Sequence, residues 1–154
     1  PEFRRTLNHS AFAEGWGLYS ERLGKEVGFY ENPYSDFGRL GYEMWRAVRL
    51  VVDTGIHAFG WTRQQAVDYL ASHTALTEKS VNDQIDRYIS WPGQALSYKI
   101  GEIKIRQLRA KAEKALGSKF DLRRFHDTVI GQGSLPMDVL EDVIDEWIKV
   151  QQKA

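Results

Sequence analysis

The chain has 154 residues, 42% of them hydrophobic, with seven Phe, seven Tyr and five Trp. That suits one domain of ordinary size with a real core. Twenty-one Lys and Arg balance twenty-one Asp and Glu, and no run of like charge appears, so neither nucleic acid nor an anionic membrane surface is expected as a partner. No apolar stretch nears the roughly 20 residues of a membrane span. No signal-peptide pattern is present, and the lack of Cys excludes a disulfide framework and a thiolate metal site. The compartment stays open between periplasm or cell envelope and cytoplasm. A start at Pro1 without Met reads as a fragment of a longer protein.

Helical signals dominate. Ser10 is placed to cap a first helix that runs toward Val27, where Gly28 stands in the stop position. Pro33 suits the first turn of the next helix, whose spacing puts Leu40, Met44, Val48 and Val51 on one apolar stripe ending near Gly60. Thr62 opens a capping box with Gln65 and a short helix through Ala66, Tyr69 and Leu70. Thr77 opens another, with Val81, Ile85, Tyr88 and Ile89 at helical spacing, broken by Trp91-Pro92-Gly93. Gln94 to Leu116 is a long helical pattern carrying Leu96, Ile100, Ile103 and Leu108, stopped at Gly117. Asp121 caps a helix with Leu122, Phe125, Val129 and Ile130. Pro136 starts a last one with Leu140, Val143, Ile144 and Trp147 on one face. No alternating strand pattern, repeat or linker interrupts the series. The expectation is a single all-α domain over residues 1–154, a bundle of about seven helices whose short connections favour antiparallel neighbours.

No catalytic motif stands alone. His9, His57, His73 and His126 include no pair at the spacing of a helical zinc site, and there is no nucleophile elbow. Three constellations carry chemistry. Glu14 and Glu21 share a face of the first helix, with Gly15 and Gly17 between them. Two helix-interior glycines cost about 1 kcal/mol each against Ala, which fits either a tight helix crossing or a site. Arg49, Asp53 and His57 are spaced by four along one helix. Asp53 is placed to pair with either neighbour, as in a carboxylate that orients a functional imidazole, or as in an ordinary ion pair. Gln94 and Tyr98 share a helix face beside Ser97 and Gly101. A Tyr hydroxyl there suits an oxyanion donor and an amide suits a substrate carbonyl, or the pair is core packing. His126 reads as a packed or capping residue, and His73 as a partner of free carbonyls at a helix end.

Phe12-Ala-Glu-Gly-Trp-Gly-Leu-Tyr-Ser-Glu21, Arg49 to His57 with Gly60-Trp61-Thr62, and Trp91-Pro-Gly-Gln-Ala-Leu-Ser-Tyr-Lys-Ile-Gly101 together resemble the bacterial domain-of-unknown-function family 885. Phe125-His126-Asp127 and Gly133-Ser-Leu-Pro136 continue the likeness in order. That family is similar to helical zinc peptidases of the oligopeptidase and carboxypeptidase kind. The resemblance implies the C-terminal half of a helical zincin-like catalytic domain, with Glu14 as a third zinc ligand. It also implies Tyr98 as oxyanion donor, and His57, Arg49 and Gln94 along the substrate cleft. It further implies that the two His ligands and the general-base Glu lie upstream of Pro1, in the missing N-terminal part of the same protein. The chain alone would then bind zinc weakly or not at all and leave peptides uncut. The alternative is a non-catalytic helical module that binds a peptide or protein.

Overall fold

A computed structural model describes residues 2–153, apart from the side chains of residues 3 and 5. Seven α-helices and three 3-10 turns make up the described residues, with no strand among them. The helices are α1 (Ser10–Glu26), α2 (Pro33–Ala58), α3 (Arg63–His73), α4 (Glu78–Ser90), α5 (Ser97–Leu116), α6 (Leu122–Ile130) and α7 (Met137–Lys153). The all-α helix bundle expected from the periodicity is the observed class. No helix among the described residues is long and apolar enough to cross a membrane. The residues group into two compact units, one of Pro1–Tyr19 with Ile100–Ala154 and the other Ser20–Lys99. Both boundaries fall inside helices, α1 and α5, where no linker composition marks them.

Local chemistry sets the helix ends. Asn32 accepts from the Ser35 N–H ahead of Pro33, Thr62 and Gln65 form the reciprocal capping box, Thr77 accepts from Ser80, and Asp121 accepts from Arg123 and Arg124. Each satisfies amide donors that a helix start leaves unpaired. Past the end of α1, Gly28 takes φ +74°, and its N–H reaches the Lys25 carbonyl while that of Phe29 reaches Gly24. A left-handed residue with such bonds closes a helix, and only glycine adopts it without strain. The long pattern from Gln94 begins later than its spacing indicates. Gln94–Leu96 is a 3-10 turn entered through Gly93 at φ +79°, and α5 proper starts at Ser97.

In the Ser20–Lys99 unit, α2 packs on α3, α4 and the Gln94–Leu96 turn. Val48, Val52, Ala66, Leu70, Val81, Ile85, Tyr88 and Ala95 form the core, with Trp45 and Ile56 packed against it. This corrects the expected stripe of α2. Val48 is buried, but Leu40, Met44 and Val51 are 48%, 50% and 38% exposed. The helix carries apolar residues on more than one face, and the face that meets α3 and α4 is the one through Trp45, Val48, Val52 and Ile56. Ile100 and Ile103 of α5 and Ile89 of α4 are likewise exposed, one step off the buried registers of their helices.

In the other unit, Ile105, Leu108, Ala112 and Leu116 of α5 are buried, as are Phe125 and Val129 of α6 and Leu140, Ile144 and Ile148 of α7. The Phe125 ring meets Phe120 and Trp147 at centroid distances of 6.0 and 6.2 Å, a tilted and an edge-on aromatic contact within the usual range. His126 is a packed residue, as its place beside Phe125 indicates. Its Nε2 lies 2.7 Å from the Tyr19 hydroxyl, its ring stands edge-on to Trp16, and Arg109 donates to the same hydroxyl. His73, at the end of α3, bonds the Tyr69 carbonyl and stacks on the Tyr69 ring.

Candidate functional site

Glu14 belongs to the first unit, whereas Arg49, His57, Gln94 and Tyr98 all belong to the Ser20–Lys99 unit. Glu14 is partly buried on α1, one residue before a glycine in tight contact. A Cβ on Gly15 would lie 2.4 Å from the Gly101 Cα, and a Cβ on Gly101 would lie 1.9 Å from the Ala11 carbonyl oxygen. Gly15 is therefore a crossing device. Gly17, with nothing within 4 Å of its absent Cβ, is not.

Arg49, Asp53 and His57 do sit on one face of α2, but their partners come from across the unit. The Arg49 Nε donates to the Tyr88 hydroxyl at 2.9 Å, and the His57 Nε2 lies 2.9 Å from the Tyr88 carbonyl. Both oxygens of Asp53 accept from the Gly93 N–H at 3.2 Å. The three side chains thus fasten the end of α4 and the Trp91-Pro92-Gly93 turn to α2. Asp53 is 2% exposed, and burial pushes its carboxyl above the usual range, with the Gly93 N–H and the His57 charge offsetting part of the rise.

A carboxyl raised in the fold favours folding fully below its unfolded pKa, about 3.9, and that contribution is lost as pH rises through the folded value. Charged Asp53 is therefore a burden at neutral pH. Asp53→Asn keeps an acceptor for Gly93 without the charge. Its melting temperature is expected to match the wild type at about pH 3 and to exceed it progressively above the carboxylate range. A melting series over pH checks this, and an Asn variant less stable at neutral pH would refute it.

Tyr98 and Arg49 meet directly. The guanidinium carbon lies 4.5 Å from the centroid of the Tyr98 ring and 4.5 Å from that of Trp45, so an aromatic ring takes each cation–π contact. Gln94 turns to Arg87, whose Nη2 donates to its side-chain oxygen. Of the four residues singled out in this unit, Arg49 and His57 therefore meet at Tyr88, Tyr98 lies against Arg49, and Gln94 bonds Arg87.

Three contributors escaped the spacing argument. Tyr88 accepts from both Arg49 and the Trp45 Nε1. Trp45 lies four residues before Arg49, a helical spacing that would have signalled the stack. Arg46 touches the same rings, 5.7 Å from Trp45 and 6.0 Å from Tyr98, and its Nη2 donates to Glu21 at 2.9 Å. Beside it, Arg39 pairs with Asp36 and Glu43, and Lys99 pairs with Glu43. Hydrogen bonds from Lys25 and then Arg39 hold the Asp36 carboxyl below its usual range. Burial would raise Glu43, but the bonds from Lys99 and Arg39 prevail and lower it. Arg39, Tyr42, Tyr30 and Arg46 also line a cavity of about 370 Å³.

Among the described residues, no three His, Cys, Asp or Glu side chains gather as a metal-holding group. What the arrangement does define is a helical scaffold in which a buried Arg49 and a half-buried Arg46 lie against aromatic rings. The chain belongs to the family described as "Bacterial protein of unknown function (DUF885)", matched over residues 1–144. It is also similar to the crystal structure described as "the putative lipoprotein from Colwellia psychrerythraea", at 50% identity and a TM-score of 0.95, covering 97% of this chain and 26% of that one. The chain therefore spans about a quarter of the length of that relative. None of the curated proteins matches it.

Proposed function

We propose that this chain is the C-terminal portion of a zinc-dependent peptidase, to which it contributes one metal ligand and residues that hold the substrate. The observation carrying this reading is the meeting of Arg49 with Tyr98. Two residues from segments some fifty positions apart, each singled out for substrate chemistry, stack at 4.5 Å. The Tyr98 hydroxyl makes no hydrogen bond among the described residues, which leaves it available as a donor to a developing oxyanion. Glu14 suits zinc as a carboxylate oxygen donor and would be the one ligand this chain supplies. A bound zinc would polarise the scissile carbonyl and activate water. Arg49 would hold the substrate, with His57 fixing the α4 end that carries Tyr88.

The test is zinc content and peptide hydrolysis of the full-length protein with Glu14→Ala and Tyr98→Phe. The expected result is stoichiometric zinc and chelator-sensitive hydrolysis. Glu14→Ala should lose both, and Tyr98→Phe should keep the metal while kcat falls by about 10²–10³-fold. Folded full-length protein without zinc or hydrolysis would leave the second reading, a peptide-binding helical module. An exposed apolar groove of about 440 Å³ beside Phe37, Leu40, Met44 and Ala75 favours that one.

A further inference from the structure

We infer that the exposed apolar groove beside the first half of α2 seats a helix from the part of the parent protein that lies outside these 154 residues. The groove is one continuous feature of the Ser20–Lys99 unit. Its two hollows, of about 440 and 250 Å³, share Phe37, Gly41, Thr74 and Ala75. One wall is α2, and the other is the end of α3 with the segment that follows it. Phe37, Leu40, Gly41 and Met44 recur at three- and four-residue steps, the stripe with which one helix meets another. Yet Phe37 is 73% exposed and Tyr42 55%, alongside the half-exposed Leu40 and Met44. Apolar surface gathered on one face in this way marks a place of contact. A small molecule does not suit it, because a small-ligand site buries most of its ligand and walls this exposed do not close over one.

Three observations fix the occupant. The first is room for a backbone. Gly38 and Gly41 line the groove, and nothing lies within 4 Å of a Cβ placed on either. Elsewhere in this chain a buried helix glycine marks close approach, Gly15 against Gly101, and Gly55 with its Cβ position 2.5 Å from the Trp61 ring. Open glycines alone decide nothing, as Gly17 shows, but here two of them floor an apolar groove. The second is charge. Asp36, Arg39 and Glu43 are the charged residues interleaved with the stripe, and each is already held in ion pairs within the unit, with Lys25 and Lys99 completing the set. A partner that arrives by diffusion is steered and selected by free charge, and an anionic lipid surface is drawn to a basic rim. A segment of the same polypeptide needs neither, since tethering supplies its effective concentration, and permanent interfaces are the more apolar ones. The third is extent. This chain spans about a quarter of the length of its relative, so most of such a polypeptide lies outside it and can supply the helix.

The test is photo-crosslinking of the full-length protein, with p-benzoylphenylalanine in place of Phe37 and, in a second variant, of Tyr42. Both side chains are exposed, so neither replacement disturbs the core of the unit. In dilute solution, irradiation is expected to join the probe to a peptide of the same molecule from outside these residues, mapped by mass spectrometry. A covalent dimer would assign the face to a second copy. A link back into residues 1–154 would show the chain covering itself, and no link at all would show a face open to water. Each of those results overturns the inference, as does an adduct to lipid that forms when phosphatidylglycerol vesicles are added. Gly41→Leu gives a second readout, whose sign decides. On an open helix face Leu is better than Gly and raises the melting temperature. Beneath a seated helix it collides, and the full-length protein is expected to melt several degrees lower. A rise would overturn the inference. The inference goes beyond the peptidase reading and stands with or without zinc. It also bears on the alternative, because a groove filled by its own polypeptide is not free to bind a peptide.

Discussion

Gly101→Ala is expected to destabilise the protein by more than about 3 kcal/mol, the upper end of ordinary overpacking, against the direction that helix propensity alone dictates. In a helix interior, Ala is better than Gly by about 1 kcal/mol. At Gly101 the new methyl would lie 1.9 Å from the Ala11 carbonyl oxygen, 2.7 Å from the Gly15 Cα and 2.9 Å from the Ala11 carbonyl carbon. All three are backbone atoms, so no side chain can swing aside and the two helix segments must separate. Gly17→Ala on α1 is the control, since nothing lies within 4 Å of the added carbon and a gain of about 1 kcal/mol is expected there. Thermal melts of the two variants should move in opposite directions. A neutral Gly101→Ala would mean that the crossing is looser than its geometry. Glu14 precedes Gly15 on α1, so the same substitution should also disturb any metal held through its carboxylate.

The contrast between those glycines shows where reading the chain succeeds and where it stops. Two glycines inside one helix signal that something packs closely. Only the position of Gly101, some eighty-six residues on, says that Gly15 is the one in contact. Most caps were legible because their chemistry is local, although Ser10, read as a cap, is instead the first residue of α1. Asn32 before Pro33 aside, the roles of Thr62, Thr77, Asp121 and Gly28 follow from residues within four positions, and each stands where spacing put it. The buried side of α2 was not legible from the Leu40, Met44 and Val51 stripe. A helix with apolar residues on several faces has a core face only once its neighbours are known.

The candidate site follows the same rule. Spacing by four along α2 suggested that Arg49, Asp53 and His57 serve one another. In the fold each reaches to α4 or to the turn after it, thirty to forty residues away. Tyr88 had the periodicity of a core residue and is one, but its hydroxyl is also the acceptor on which two donors depend. Nothing in helical spacing distinguishes a Tyr that fills space from a Tyr that closes a polar network.

That double role makes Tyr88→Phe the second substitution with a large expected effect. The change removes one oxygen from a residue in the core cluster and creates no steric problem, so packing alone predicts almost no cost. Hydrogen bonding predicts otherwise. The Arg49 Nε at 2.9 Å and the Trp45 Nε1 at 3.1 Å would both lose their acceptor. An unsatisfied buried donor costs about 1–3 kcal/mol, and more when the donor is charged. A loss of about 3 kcal/mol is therefore expected, or roughly 6–12 °C in melting temperature for a chain of this size. The cause can be separated from general damage by a double-mutant cycle. With Arg49→Met already in place, the charged donor is gone and an apolar side chain of similar length fills its space. Tyr88→Phe should then cost about 1–2 kcal/mol less than in the wild type, with only the Trp45 N–H left to satisfy. Equal costs in the two backgrounds would show that the hydroxyl works through Trp45 alone. Arg49 would then draw its stability from the aromatic rings, and the polar link between α2 and α4 would reduce to a single indole hydrogen bond.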